Sequence, residues 1–414
     1  MKKQKLLIFN VFFMPNSFGG ATIVAENMAH LLQRDHNWDV IVVTTIKDPK
    51  IVPYGIVRYE AGGISIIAIN APRSLSYVEL YKHDKMSSII RGVIGSIEPD
   101  VAHVHSIQTM GAGILDELSR AGVPMAVTVH DCWWICERQF MINKDKRYCF
   151  QTKIDKNICN HCVDDVVRAD LRLEYLREAL LKAEMLLFPS DFHKQLFVQN
   201  DFPVDKCHVN KNGILPAKGS FKKEVAKDSS HKVRFGFTGG PGPIKGLDII
   251  VKAFNHIDSS DYELILVDAA QNIQVSWHMG LNVDVKGKLT VRPAYTQDTM
   301  DGFFSQIDVL LFPSQWKESF GLTVREALIR DVWVISTDVG GPVEDCVDTE
   351  NSTLIPLTSD ETFLTNAIEA CLSKDWKSYQ NPHKKALQTV ASQAAELSSY
   401  LSDLATKRKI SYDR

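Results

Sequence analysis

Short apolar runs of strand length alternate with helical segments along the whole chain, in two series separated by a break. Residues 6–13, 40–44, 101–105, 125–130 and 185–188 form the first series, and 233–238, 262–267, 309–312 and 332–337 the second. Strands that alternate with helices pair in parallel, because a crossover helix returns the chain to start the next strand in the same direction. The expectation is an α/β chain of two Rossmann-like, doubly wound domains. With 414 residues, each half is long enough to bury its own core. Asn212-Gly213 and a stretch of Lys, Ser, Gly and Asp from Ala217 to Lys232, without apolar periodicity, read as the connection. The domains then span 1–211 and 233–382, joined by 212–232, with a helical segment at 383–414 that closes either domain and is assigned to the first.

A composition of 45% apolar and 23% charged residues is that of a soluble globular protein. The formal net charge of −3 gives no overall attraction to nucleic acid or to an anionic membrane. No apolar run reaches membrane-spanning length. The basic-then-apolar start imitates a signal peptide, but no small-x-small cleavage site follows. Instead Pro15-Asn16 and Gly19-Gly20 lead into Val24, Met28, Leu31 and Leu32 at helical spacing. A first strand, a glycine turn and a helix account for all of it. A cytoplasmic protein is expected, and its eight cysteines would stay reduced there.

The densest motif is Glu318-Ser-Phe-Gly-Leu-Thr-Val-Arg-Glu326, after the apolar run 309–312 and a Pro313-Ser314 break. Val324, Ala327 and Leu328 recur at helical spacing, so Glu318 falls in a loop and Glu326 in the helix after it. That places two carboxylates, with backbone amides between them, where open α/β sheets bind ligands. A loop acid and a solvated helix acid would give the same spacing. Three further turns follow predicted strands: Gly19-Gly20, His130-Asp131 and the glycine-rich run from Gly239-Gly240 to Lys245-Gly246. Bare amides plus one lysine suit a phosphate, whereas Gly-Gly turns and a capping His-Asp pair also occur for geometry alone. Leu247 stands where a P-loop would carry its magnesium-binding hydroxyl, which excludes that motif. In Asp338-Val-Gly-Gly-Pro-Val-Glu344, Pro342 and Glu344 suit the first turn of a helix.

Cys136, Cys149, Cys159 and Cys162 lie in a polar, lysine-rich insertion at 132–165. Their Cys-x12-Cys-x9-Cys-x2-Cys spacing suits a structural zinc site, with unmetallated thiols or a disulfide as the other accounts. Cys207, Cys346 and Cys371 read as isolated buried thiols.

Taken together, these motifs resemble the retaining GT-B glycosyltransferases of family 4 over almost the whole chain. The most specific part is the Glu318–Glu326 block followed by Gly340-Gly341-x-x-Glu344. The resemblance implies two domains facing a central cleft and a nucleotide-diphosphate sugar as donor. It implies Glu318 at the transferred sugar, with Ser319, Phe320, Gly321, Leu322 and Thr323 on sugar and diphosphate. Glu326 would hold the ribose, Lys245 the leaving diphosphate, Gly19-Gly20 approach the phosphates or the acceptor, and His130 bond the reacting sugar, with Gly239 and Gly240 assigned to donor binding. No catalytic metal is expected where Lys245 and the amides carry the charge. The acceptor would be a glycan or lipid-linked glycan, in capsule, O-antigen or exopolysaccharide synthesis at the inner face of a membrane. Peripheral membrane contact would fall to Lys82, Lys85 and Arg91, for which a solvated helix face is the plainer account.

The chain departs from the family pattern where many members carry a second diphosphate-clamping arginine. That position is Gly239, so its amides, or Lys317 or Arg325, would have to substitute. A sugar-nucleotide epimerase, a glycoside phosphorylase and a non-catalytic sugar-nucleotide binder are the competing readings.

Overall fold

The computed structural model describes residues 3–224, 232–273, 275–280 and 285–412, grouped into two units. The first unit comprises residues 1–144, 149–213 and 390–414, and the second 145–148 and 214–389. The chain therefore passes between units at Gly213-Ile214, and residues 214–224 of the expected connection already belong to the second. Residues 225–231 of that connection lie outside the described residues.

The first unit holds β1 (Gln4–Phe9), β2 (Trp38–Ile46), β3 (Ile56–Ala61), β4 (Ile64–Asn70), β5 (Val101–Val104), β6 (Met125–Thr128), β7 (Met185–Phe188) and β8 (Cys207–Val209). They form one eight-stranded sheet in the order β3-β4-β2-β1-β5-β6-β7-β8. All pairs are parallel except β3 with β4. Leu6, Leu7, Ile8 and Phe9 are all buried, as a strand covered on both faces requires. The β3–β4 hairpin has only Gly62-Gly63 at its tip, both at positive φ, the geometry of a two-residue turn that matches strand twist.

The second unit holds β9 (Val233–Phe237), β10 (Tyr262–Val267), β11 (Lys288–Arg292), β12 (Val309–Phe312), β13 (Trp333–Thr337) and β14 (Ser352–Ile355). Its six strands are all parallel, ordered β11-β10-β9-β12-β13-β14. Side chains alternate between two cores, one on each face. Leu264, Leu266, Leu311 and Ile335 go to one, and Ile265, Val267, Leu310 and Val334 to the other.

The closing helix Val390–Tyr412 belongs to the first unit. Ala394, Leu397, Leu401 and Leu404 are buried at three- and four-residue steps. The buried Gln393 side chain accepts from Gly213 N at 2.8 Å and donates to Asn210 Oδ1 at 3.2 Å. Trp38 Nε1 donates to Ser398 Oγ at 3.0 Å, tying β2 to the helix. Ser398→Ala should cost about 1 kcal/mol in urea unfolding. An unchanged midpoint at unchanged slope would show that this bond adds nothing.

Candidate functional site

In each sheet the order reverses between two central strands: β1 and β5 in the first unit, β9 and β12 in the second. Beyond the carboxyl ends of such a pair the loops diverge and leave a crevice, where open α/β sheets bind ligands. The glycine-rich loop follows β9 and the Glu318 loop follows β12, so the two are placed at one switch point.

They meet there in a specific bond. Lys245 Nζ donates to Glu318 Oε1 at 2.7 Å, and Ser314 Oγ donates to the same oxygen at 2.8 Å. Ser314 O in turn accepts from Thr337 Oγ1 at 2.8 Å, at the end of β13. Lys245 also sits 5.4 Å from the centre of the Trp316 ring, within range of a cation–π contact. Lys245 precedes the helix and does not open it. It ends a single turn, Pro243–Lys245, and the helix begins at Leu247 after Gly246 at φ +79°. A Cβ at Gly246 would lie 2.1 Å from Pro313 O, so only glycine brings the two loops this close.

Glu318 is buried, and its loop is backed by the next turn. Gly341 N donates to Glu318 O at 2.9 Å, and a Cβ at Gly340, where φ is +75°, would lie 2.8 Å from the same oxygen. The Asp338–Glu344 motif thus supports Glu318 directly. Phe320 is buried, and Gly321 takes φ +77° ahead of the short helix Leu322–Leu328. Arg325 does not supply the missing cation. It is buried, bonded to Asp345, to Phe320 O and to Gly341 O, and so holds the turn together.

Glu326 is part-buried on that helix, beside Tyr295 and Arg330. Burial pushes its carboxyl up to about 7, against the opposing pull of the Arg330 guanidinium. Arg330 is itself committed to Asp301 at 2.7 Å. Burial, then the Glu326 charge, holds the Tyr295 phenol well above its ordinary range. Tyr295 stacks on Phe303 at 4.9 Å and bonds to the Thr238 side chain, immediately before Gly239-Gly240. Thr238 and Tyr295 thereby link the surroundings of Glu326 to the loop that carries Lys245. Sequence reasoning missed Ser314, Thr238 and Tyr295, because single polar residues in loops carry no periodic signal.

In the first unit Gly19, at φ +81°, caps the helix Gly20–Asp35 after β1. Asn10, at the end of β1, is buried and accepts from Ser106 N at 3.1 Å beyond β5. His130 follows β6, and its Nε2 lies 2.9 Å from His105 Nδ1. Burial lowers the His130 imidazole to about 3, helped by the neighbouring His193. His105 was not singled out, although His103-x-His105 at a strand end was the available signal. Asp131 accepts from Trp133 N at 2.8 Å and Gln139 Nε2 at 2.7 Å, folding the start of the insertion.

The structure brings the four thiols of the expected zinc site near one another: Cys149 and Cys159 both repel charge on Cys136, and Cys149 and Cys162 on Cys159. Cys136, Cys149, Cys159 and Cys162 are free thiols, and no metal-holding group of three or more His, Cys, Asp or Glu occurs among the described residues. Trp133, Trp134, Ile135 and Met141 are buried, and Arg172 Nη2 donates to Trp133 O at 2.9 Å. Apolar packing and that buried arginine organise the segment for which a metal was invoked. Burial pushes the Cys136 thiol up to about 11. Of the basic residues assigned to a membrane face, Arg91 is bonded to Glu117 at 2.8 Å and Lys85 lies 4.1 Å from the Tyr54 ring centre. No helix among the described residues is long and apolar enough to cross a membrane.

Comparison with known proteins matches these two units separately. The family model described as Glycosyltransferase Family 4 matches residues 18–218, and that described as Glycosyl transferases group 1 matches 221–389. An uncharacterized 42.6 kDa protein in the cps region of Klebsiella pneumoniae is 20% identical over 82% of this chain and 87% of its own length. A glycosyltransferase from Rickettsia africae superposes with TM-score 0.67 at 15% identity, covering 98% of this chain and 99% of that one. Anabaena Alr3699/HepE, solved with UDP and glucose, gives TM-score 0.64 at 14% identity over 96% and 99%. Two consecutive family models across nearly the whole chain, on an architecture shared end to end with solved glycosyltransferases, make this protein a member of the GT-B glycosyltransferases of family 4.

Proposed function

We propose that the protein transfers a sugar from a nucleoside diphosphate to a saccharide or lipid-linked saccharide acceptor, with retention of configuration, during synthesis of a cell-surface polysaccharide. The observation that carries this reading is the Lys245–Glu318 pair at the β9/β12 switch point. An ammonium beside exposed loop amides suits a diphosphate leaving group, and a buried carboxylate fixed to that ammonium suits the hydroxyls of the sugar next to it.

In this reading Lys245 and the amides of Gly239, Gly240 and Ser319–Thr323 hold the diphosphate, Glu318 orients the sugar, and Glu326 accepts from the ribose. His130 donates to the same sugar, and Gly19-Gly20 leave backbone open to phosphate or acceptor. The bond from C1 to the phosphate oxygen breaks as the acceptor oxygen bonds C1 on the same face. The acceptor proton passes to the departing phosphate oxygen. The UDP and glucose found in the Anabaena relative support a nucleotide-sugar donor. The cps location of the Klebsiella relative supports a polysaccharide pathway.

A thermal-shift screen against UDP-, GDP-, TDP- and ADP-sugars should single out one base. The product made with that donor should keep the donor's anomeric configuration by NMR. An inverted product would overturn retention, and stabilisation without hydrolysis or transfer would make the chain a binder.

A further inference from the structure

His103 and His105 are two residues apart along β5 and its extension, so they share one face of the sheet. The centres of the His103 and His105 rings lie 4.1 Å apart, and those of His105 and His130 5.2 Å apart with 17° between planes, an edge-to-edge arrangement. One proton lies in the 2.9 Å bond between His105 Nδ1 and His130 Nε2. We propose that His105 is a positioning residue that fixes His130 as the tautomer protonated on Nδ1, so that His130 offers its ligand a hydrogen-bond donor. This rests on the assignment of His130 to the transferred sugar, whose hydroxyl or ring oxygens would accept that bond.

The direction of the bond follows from what lies beyond it. His105 Nε2 is buried and has no hydrogen-bond partner among the described residues. Were His130 to donate from Nε2, His105 would accept at Nδ1 and carry its own proton on Nε2. That would bury an N–H with no acceptor, which folded proteins avoid more strictly than an under-used acceptor. With His105 donating from Nδ1, the buried Nε2 is a bare lone pair and no donor is orphaned. His103 obeys the same rule: Nε2 lies 2.7 Å from Thr128 Oγ1, and the unpartnered nitrogen is Nδ1. The imidazoles stay neutral because burial, together with mutual repulsion among His103, His105, His130 and His193, disfavours their charged forms. A free histidine side chain in water prefers its proton on Nε2, so the tautomer at His130 is imposed by its neighbour.

Long-range ¹H–¹⁵N correlation on the full chain labelled with ¹⁵N-histidine reads the tautomer directly, with His130→Gln to assign the signal. His130 should show a protonated Nδ1 and a bare Nε2. His105→Asn keeps an amide donor near the position of Nδ1, and should keep both that pattern and the rate of transfer. His105→Leu removes the donor: the pattern should revert to a protonated Nε2, and transfer should fall about fivefold, the equivalent of one ordinary hydrogen bond. A protonated Nε2 in the unaltered protein overturns the proposal, as does a His105→Leu spectrum unchanged at His130. If His105→Leu fails to fold, the unaltered protein and His105→Asn still decide. Undiminished transfer by His130→Gln would instead overturn the role given to His130 under the proposed function, and the spectrum distinguishes the two failures.

Discussion

Glu318→Gln and Lys245→Met should each lower sugar transfer by about 10²–10³-fold, the usual cost of removing one preorganised group from developing charge. Both side chains are substantially covered, at 11% and 29% exposure, yet the fold should tolerate either change: about 1 kcal/mol for Glu318→Gln, which keeps a carbonyl acceptor, and about 3 kcal/mol for Lys245→Met, which leaves the carboxylate without its ammonium. The reason is that the loop backbones are fixed independently of the pair. Gly341 N holds Glu318 O at 2.9 Å, and Gln315 N holds Ile244 O at 2.7 Å, next to Lys245. A purely structural ion pair predicts the reverse: a lowered melting temperature with transfer little changed. The double variant should transfer little worse than either single one, because each half of a shared unit is of small use without the other. Transfer by Glu318→Gln within about threefold of the unaltered protein would remove the pair from the reaction.

The legible parts of this molecule are those where burial on two faces forces a run of apolar residues. Residues 6–9, 309–312 and 333–337 could be read directly because their strands sit in the middle of covered sheets. Of the unread strands, β3, β8, β11 and β14 are at edges, whereas β4 is interior and buried and went unread although its run is apolar. β3 shows half-exposed and exposed residues in alternation, and β11 is no more than half-buried, so polar residues such as Arg58, Glu60, Lys288 and Arg292 interrupt the apolar signal. Gly62-Gly63 between two β-branched runs was nonetheless a readable hairpin. Glu318, Glu326 and Lys245 were found because motif spacing survives in sequence. Their partners Ser314, Thr238, Tyr295 and His105 come from separate loops or strand ends, and only chain folding brings them together. The packing inside the cysteine insertion was unread for a related reason. Its lysines are conspicuous in sequence, while the apolar side chains that organise it, Trp133, Trp134, Ile135 and Met141, are few.

Lowering the pH from 8 to 6 should weaken binding of the preferred nucleoside diphosphate about tenfold through Glu326 alone. Burial puts that carboxyl at about 7, so it is mostly ionised at the upper pH and mostly protonated at the lower. The ionised form can accept from two ribose hydroxyls, whereas the protonated form gives up one acceptor site to its own hydrogen. The sign for stability is opposite. A carboxyl raised in the folded state from 4.5 makes the unliganded protein less stable as pH climbs through the window from 4.5 to about 7, because the unfolded chain ionises first. Acid thus stabilises the empty protein through this group while weakening its complex. The terminal phosphate of the ligand also titrates, with a pKa near 6, so calorimetry on the unaltered protein alone would mix two groups. Glu326→Gln separates them: it keeps a carbonyl acceptor, cannot ionise, and should lose the tenfold component while retaining the phosphate's own slope. Parallel pH profiles for the two proteins would mean that Glu326 does not face the ribose. A steeper profile in the unaltered protein, together with a melting temperature that falls as pH rises from 4.5 to about 7 only when Glu326 is present, would tie the buried carboxyl to nucleoside recognition.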